Sequence, residues 1–148
     1  MIKGAIKNKQ NRYQLWRIWN KEKPLILFIL LNPSNADEKN DDKTVKKLIG
    51  FTKIFEYGGF YLGNLYSLTT STPCPAKFIS DEARNIEHIE IMKKKCKQVV
   101  IGWGNLGKYP NWLIDKRIKP MCFGVNKNGT PKHPLYLSYE TELLNYPL

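Results

Sequence analysis

The sequence predicts an α/β fold: a three-layer sandwich in which a central, mainly parallel sheet of about four strands lies between helices. Three observations carry that expectation. Apolar runs of strand length recur at residues 25–31, 60–68, 98–103 and 120–124. Segments with the length and polarity of helices separate the first three runs. No internal repeat, low-complexity stretch or Gly/Ser linker divides the 148 residues, so one domain, residues 1–148, is expected. Strands alternating with helices imply βαβ crossovers, which set neighbouring strands parallel.

Residues 12–19 come first. Tyr13, Leu15 and Ile18 stand among charged and aromatic neighbours in an alternating pattern that reads as an early strand. After Pro24, residues 25–31 are uniformly apolar and rich in β-formers. A membrane helix needs about 20 such residues, so this run reads as a buried strand. It stops at Asn32-Pro33-Ser34, and a polar loop covers residues 35–42. Asp41 or Asp42 can cap a helix running to about Tyr57, with Val45, Leu48, Ile49, Phe51 and Phe55 at helical spacing. Gly58-Gly59 is the expected stop.

Residues 60–68 form the second buried strand, and 69–80 a loop holding Pro73 and Pro75. Ser80 can cap a helix over 81–96. Its acids come early (Asp81, Glu82) and Lys93-Lys94-Lys95 late, the order that suits a helix dipole. The third strand is 98–103, a turn and short helix span 105–116, and the fourth strand is 120–124. Residues 126–132 are a polar loop in which Asn128-Gly129-Thr130 reads as a turn. His133-Pro134 opens a C-terminal segment ending near Tyr146.

Composition narrows the partners. Lys and Arg number 24 against 13 Asp and Glu, a formal net charge of +11. Such a surplus favours polyanions, nucleic acid first and an acidic membrane surface second. An evenly solvated, lysine-rich surface accounts for the same surplus with no partner at all. A hydrophobic fraction of 42% excludes a disordered chain. No apolar stretch with a cleavage site follows Met1, so a secretory signal is not expected. Cys74, Cys96 and Cys122 are odd in number and lack CxxC spacing, which fits a reducing cytoplasm. His88 and His133 have no partner at metal-ligand spacing, so neither metal nor cofactor is expected.

In parallel sheets, ligands sit at the carboxyl ends of the strands, so the polar residues following each apolar run are the candidates. Pro33 forces Asn32 into extended backbone and can aim its amide into a crevice, or the pair is a plain strand-ending turn. Asn64 interrupts a strand, where Asn is depleted. Buried there, its amide either reads a ligand edge or stitches a neighbouring loop. Gly102 to Gly107 satisfies GxGxxG after a strand, but Trp103 is bulky for a phosphate turn and no acid lies on the next strand. His133, set between Pro131 and Pro134, can donate to developing negative charge, or is a surface-loop histidine.

Taken together, the run Leu27 to Ser34 followed by Ala36-Asp37-Glu38, the Gly58-Gly59-Phe60 turn, Trp103-Gly104, and Gly129-Thr130-Pro131-Lys132-His133-Pro134-Leu135-Tyr136-Leu137 resemble the bacterial and phage family known as domain of unknown function 1643. The resemblance spans residues 12–137. More remotely, the same blocks resemble the uracil-DNA glycosylase superfamily, in the same order. Leu31-Asn32-Pro33-Ser34 is similar to its first active-site motif, a strand ending in Asp-Pro or Asn-Pro. Gly63-Asn64-Leu65 is similar to the strand-end Asn that reads the flipped base. Val99 to Gly104 resembles the apolar strand ending in Trp-Gly. His133-Pro134-Leu135 resembles the His-Pro motif that holds the leaving base.

The resemblance implies a uracil-DNA-glycosylase-like fold and hydrolysis of an N-glycosidic bond in DNA or a nucleotide. Asn32 would position the water, and His133 would stabilise the leaving base. Asn64 would read the base, with Pro33 and Ser34 beside it. Lys132 and Lys108 would hold phosphate, and Leu135 or Tyr136 would fill the gap left by a flipped base. Asn32 stands where the most active branch carries Asp, so that position offers no carboxylate base. Ser34 replaces a bulky aromatic that shields such pockets from thymine. Asp37 and Asp41 lie nearby in sequence, with nothing to bring them into the site. The rival expectations are a non-catalytic nucleic-acid or nucleotide binder and a small-molecule enzyme using a nucleotide at the Gly102–Gly107 turn. A monomer without membrane association is expected in each case.

Overall fold

The computed structural model describes residues 1–72, 81–115 and 117–147. In chain order its elements are β1 (Ile2–Lys7), β2 (Arg12–Ile18), β3 (Leu25–Leu30), α1 (Lys43–Ile54), β4 (Gly59–Asn64), α2 (Glu82–Lys95), β5 (Gln98–Ile101), a 3₁₀ turn (Asn111–Leu113), β6 (Met121–Cys122) and β7 (Leu144–Asn145). The strands form one sheet in the order β1-β2-β4-β3-β5-β6-β7.

The four apolar runs become neighbours. β4, β3, β5 and β6 lie side by side and pair in parallel. The expectation of about four mainly parallel strands is corrected at both edges. β1 and β2 extend the sheet antiparallel beyond β4, and β7 pairs antiparallel with β6. The missing edge strands carry almost no hydrophobic pattern. β1 buries only Gly4 fully, and both residues of β7 are exposed.

The layers follow from the pleat of β3. Ile26, Phe28 and Leu30 point to one face, where they pack with Val45, Leu48 and Phe51 of α1. Leu27 and Ile29 point to the other, against Ile89 and Met92 of α2. The two helices therefore cover opposite faces of the sheet. Phe123 joins the first face, stacking on Phe28 and tilting against Phe51.

Helix and strand ends are shorter than the sequence suggests. Asp42, not Asp41, caps α1, its Oδ1 accepting the Val45 amide at 2.9 Å. The helix ends before Tyr57 because Glu56 turns the chain with φ 65°, ahead of the glycines. Asp81 takes the cap position of α2, while Lys93, Lys94 and Lys95 close its last turn. The expected Ser80 cap, the prolines and Cys74 of the 73–80 loop, and Lys116 lie outside the described residues. Among the described residues, no helix is long and apolar enough to cross a membrane.

The direction of winding reverses at β3, with β4, β3 and β5 all still parallel. From β3 the chain passes through α1 to β4 on one side; from β4 it passes through α2 to β5 on the other. The segments leaving β3 and β5 therefore diverge and open a crevice at their carboxyl ends, the usual ligand position in doubly wound sheets.

Candidate functional site

At that end of the sheet, Asn32, Ser34, Asn64 and His133 line one small polar cavity with Arg12, Asp42 and Thr44. Leu30, Leu62 and Val45 form its apolar floor. The cavity measures about 40 Å³, room for a few waters rather than for a whole nucleobase. Ser34, Asp42 and Thr44 also border an outer cleft of about 490 Å³, shared with Lys43, Lys46 and Leu135.

Asn32 lies two residues past the end of β3. Its Nδ2 donates to the carbonyls of Pro33 at 2.9 Å and Thr70 at 2.8 Å. Two carbonyls on one side fix the amide's orientation, so Oδ1 is the acceptor left for the cavity. The Pro33 carbonyl also accepts the Thr70 amide, which makes Pro33 a brace for Asn32.

Asn64 ends β4 in register with Leu30 of β3 and is 2% exposed. The stitching expected of it belongs instead to Asn85 on α2. Asn85 Nδ2 donates to the backbone carbonyls of Asn64 at 2.8 Å and Leu65 at 3.3 Å. Among the described residues nothing hydrogen-bonds the Asn64 side chain, and its amide faces the cavity with Arg12 and Asp42.

His133 arrives on a loop held between the segments that follow β5 and β6. Gly104 donates its amide to Pro131 O at 2.9 Å, and Lys132 donates its own to Gly124 O at 2.9 Å, which pins that loop on both sides. The His133 Nδ1 accepts the Leu135 amide at 3.2 Å, leaving the ring proton on Nε2. Burial lowers the His133 pKa below its ordinary value, against an opposing pull from Asp42.

The Gly102–Gly107 turn serves packing. Gly104 takes φ 77°, and its amide is spent on Pro131. A Cβ at Gly107 would overlap the Trp103 ring, so this glycine makes room for a buried indole. Gly102 lies against Leu30, the Lys132 carbonyl and Pro134, where a Cβ would sit 3.1–3.2 Å from each.

The remaining candidates lie farther out. Leu135 borders the outer cleft, while Lys108, Lys132 and Tyr136 line neither cavity nor cleft. Tyr136 is 91% exposed. Asp41 and Asp37 are engaged elsewhere, Asp41 with Arg17 and Asp37 with Asn40 and Lys7. Asp42 is the carboxylate that reaches the cavity. Its Oδ2 accepts the Ala36 amide at 3.3 Å while Oδ1 caps the helix.

Arg12 is the residue sequence reasoning passed over. It is 4% exposed, and desolvation pulls its pKa down to about 10 despite the opposing charge of Asp42. Its signal was available: a charged side chain opening a strand that becomes buried on both sides. A second groove, about 710 Å³ and lined by Tyr109, Ile114, Ile118 and Tyr146 among others, contains none of the sequence-derived site residues. Among the described residues, no three His, Cys, Asp or Glu side chains gather as metal ligands.

No curated protein and no solved structure matches the chain. The profile of a family described as protein of unknown function (DUF1643) matches residues 12–135, from the first residue of β2 through the His133 loop to Leu135 on the outer cleft. That span contains every residue of the inner cavity, and the chain belongs to the DUF1643 family.

Proposed function

We propose that the crevice is a glycosylase-like site that hydrolyses an N-glycosidic bond in DNA or a nucleotide. The observation that carries this reading is the meeting of Asn32, Asn64 and His133 in one cavity at the carboxyl ends of parallel strands. Each group has the hydrogen-bonding valence its role needs. Cleavage of the sugar–base bond builds positive charge on the sugar and leaves the bonding electron pair on the base. Asn32 Oδ1 accepts a hydrogen bond from the attacking water. His133 Nε2–H donates to the base oxygen that takes up negative charge. Asn64 offers both a donor and an acceptor to a base edge. Asp42 supplies the negative charge that complements the sugar cation and, as the carboxylate that Asn32 lacks, takes the proton that the attacking water releases.

The inner cavity is smaller than a base, so binding requires its rim to open towards the outer cleft. Ser34, Asp42 and Thr44, shared by the two spaces, form that rim. Purified protein is to be incubated with oligonucleotides and nucleotides carrying uracil, mismatched and modified bases, and scored for alkali-labile abasic sites or free base. Turnover lost in both Asn32→Ala and His133→Asn is the expected result. A blank across the panel from folded protein overturns the reading.

A non-catalytic binder of nucleic acid or nucleotide is the second reading, favoured by the amide at position 32 and by an inner cavity smaller than a base. It requires binding that weakens steeply with salt and survives Asn32→Ala.

A further inference from the structure

Two arginines of β2 are buried in contrasting ways. Arg17 is 0% exposed, and every side-chain nitrogen has an acceptor. Its Nε donates to Asp41, Nη1 to the Trp16 carbonyl, and Nη2 to the carbonyls of Asp37 and Asn40. Arg12 is nearly as buried, yet its one side-chain hydrogen bond among the described residues runs from Nη1 to Ala36 O at 2.8 Å. Its Nε is buried with no partner. A guanidinium carries five N–H donors in a planar fork, and this one lies in the wall of the inner cavity with most of them unspent.

Asp42, on the same wall, forms no ion pair with Arg12, and each of its oxygens already accepts a backbone amide. The first turn of α1 adds further donors. The Asp42 side chain takes the Val45 amide and its carbonyl the Lys46 amide, while those of Lys43 and Thr44 have no partner among the described residues. Thr44 borders the cavity. A buried cation short of acceptors thus faces the positive end of a helix dipole across a space that admits only a small group.

We propose that the inner cavity is an oxyanion site, in which the Arg12 guanidinium and the first turn of α1 hold one small, negatively charged oxygen group. Two sources share that chemistry: a free inorganic oxyanion, or the ring oxygen of a base that carries enolate charge. The site rests on the unspent donors and not on bond cleavage, so it stands whether or not the glycosidic reading does.

The test is binding without turnover, by calorimetry and by the rise in Tm that a native-state ligand causes. The probes are inorganic phosphate, barbiturate (a planar ring enolate) and uracil, the neutral ring of similar shape. Binding of phosphate with none of barbiturate identifies a free oxyanion as the ligand. Binding of barbiturate at least about tenfold tighter than uracil identifies the ring oxygen. Arg12→Lys is expected to weaken the bound anion by about tenfold or more, because an ammonium cannot reproduce the planar fork. Asp42→Asn keeps the helix cap through its remaining oxygen, since Asn caps as well as Asp, at the loss of the acceptor for the Ala36 amide, and is expected to tighten anion binding by removing a like charge. Arg12→Met is expected to abolish anion binding; if that variant fails to fold, the Arg12→Lys and Asp42→Asn pair still decides. No binding of either anion, or binding that both substitutions leave unchanged, overturns the proposal. A blank in the hydrolysis panel has no bearing on this outcome.

Discussion

Replacing each buried arginine of β2 by methionine separates a structural ion pair from a cation kept for another reason. At Arg17 the Nε–Oδ1 distance to Asp41 is 2.8 Å. At an effective dielectric constant of about 20, a contact that short gives a gross attraction of about 6 kcal/mol, offset in large part by desolvation. Arg17→Met also strips a donor from three backbone carbonyls, those of Trp16, Asp37 and Asn40. Breaking a buried pair while its other acceptors stay in place is expected to cost about 3–4 kcal/mol. Arg12→Met forfeits one hydrogen bond, to Ala36 O, and relieves a poorly satisfied buried charge. Its expected cost is about 0–1 kcal/mol. Urea melts at pH 7, read from midpoint shifts at constant m-value, measure both. Equal losses in the two variants would refute the distinction and make Arg12 as structural as Arg17. A loss below about 1 kcal/mol for Arg17→Met would refute the worth assigned to its network.

Two further substitutions test the scaffold around the site. Asn85→Ala removes two donors from the carbonyls that end β4, and also removes a buried, unpaired Oδ1; a loss of about 2 kcal/mol in urea melts is expected. A change under about 0.5 kcal/mol would show that water replaces those bonds. Gly107→Ala drives a methyl into the Trp103 ring, so it is expected to cost about 1–3 kcal/mol and to shift tryptophan fluorescence. A neutral result would mean that the turn is not packed as described.

Much of the sheet is legible because buried parallel strands are apolar on both faces. β3 buries five of its six residues and β4 all six, so both stand out as continuous runs. Edge strands lack that signature. β1 alternates lysine with small and apolar residues in a mostly exposed pattern, which sequence alone assigns equally well to a loop. At the site, Asn32, Asn64 and His133 were visible as polar residues placed after apolar runs or between prolines, which is a local signal. Arg12 and Asp42 carried only weaker local signals, a charge opening a strand and a candidate helix cap, and neither pointed to the cavity. Their importance comes from the β2–β4 pairing and from the capping geometry of α1, both of them long-range consequences of the fold. The Gly102–Gly107 spacing misleads for the opposite reason, since glycines also recur where an indole must be wrapped.

His133 shows how burial and one backbone bond together set the chemistry of the cavity. Its Nδ1 accepts the Leu135 amide, and protonating Nδ1 would turn that acceptor into a donor facing a donor. Burial acts in the same direction, while Asp42 opposes it, and the net pKa lies below the ordinary 6.5. The sign follows from proton counting. Between about pH 6.5 and the depressed folded value, the unfolded chain binds a proton that the folded chain refuses, so stability falls as pH falls through that window. His88 is also lowered by burial and adds to the same slope, so the two rings have to be read separately. With only two histidines in the chain, imidazole NMR of the protein and of His88→Gln assigns each ring. The expected His133 spectrum is the Nε2–H tautomer with a midpoint under 6.5. An Nδ1–H tautomer, or a midpoint at or above 6.5, would refute the geometry. If the expected form is found, the ring facing the ligand near pH 7 is a neutral donor, and the fixed positive charge of the cavity falls to Arg12. Any anion held there then owes its charge recognition to that arginine and only its orientation to the histidine.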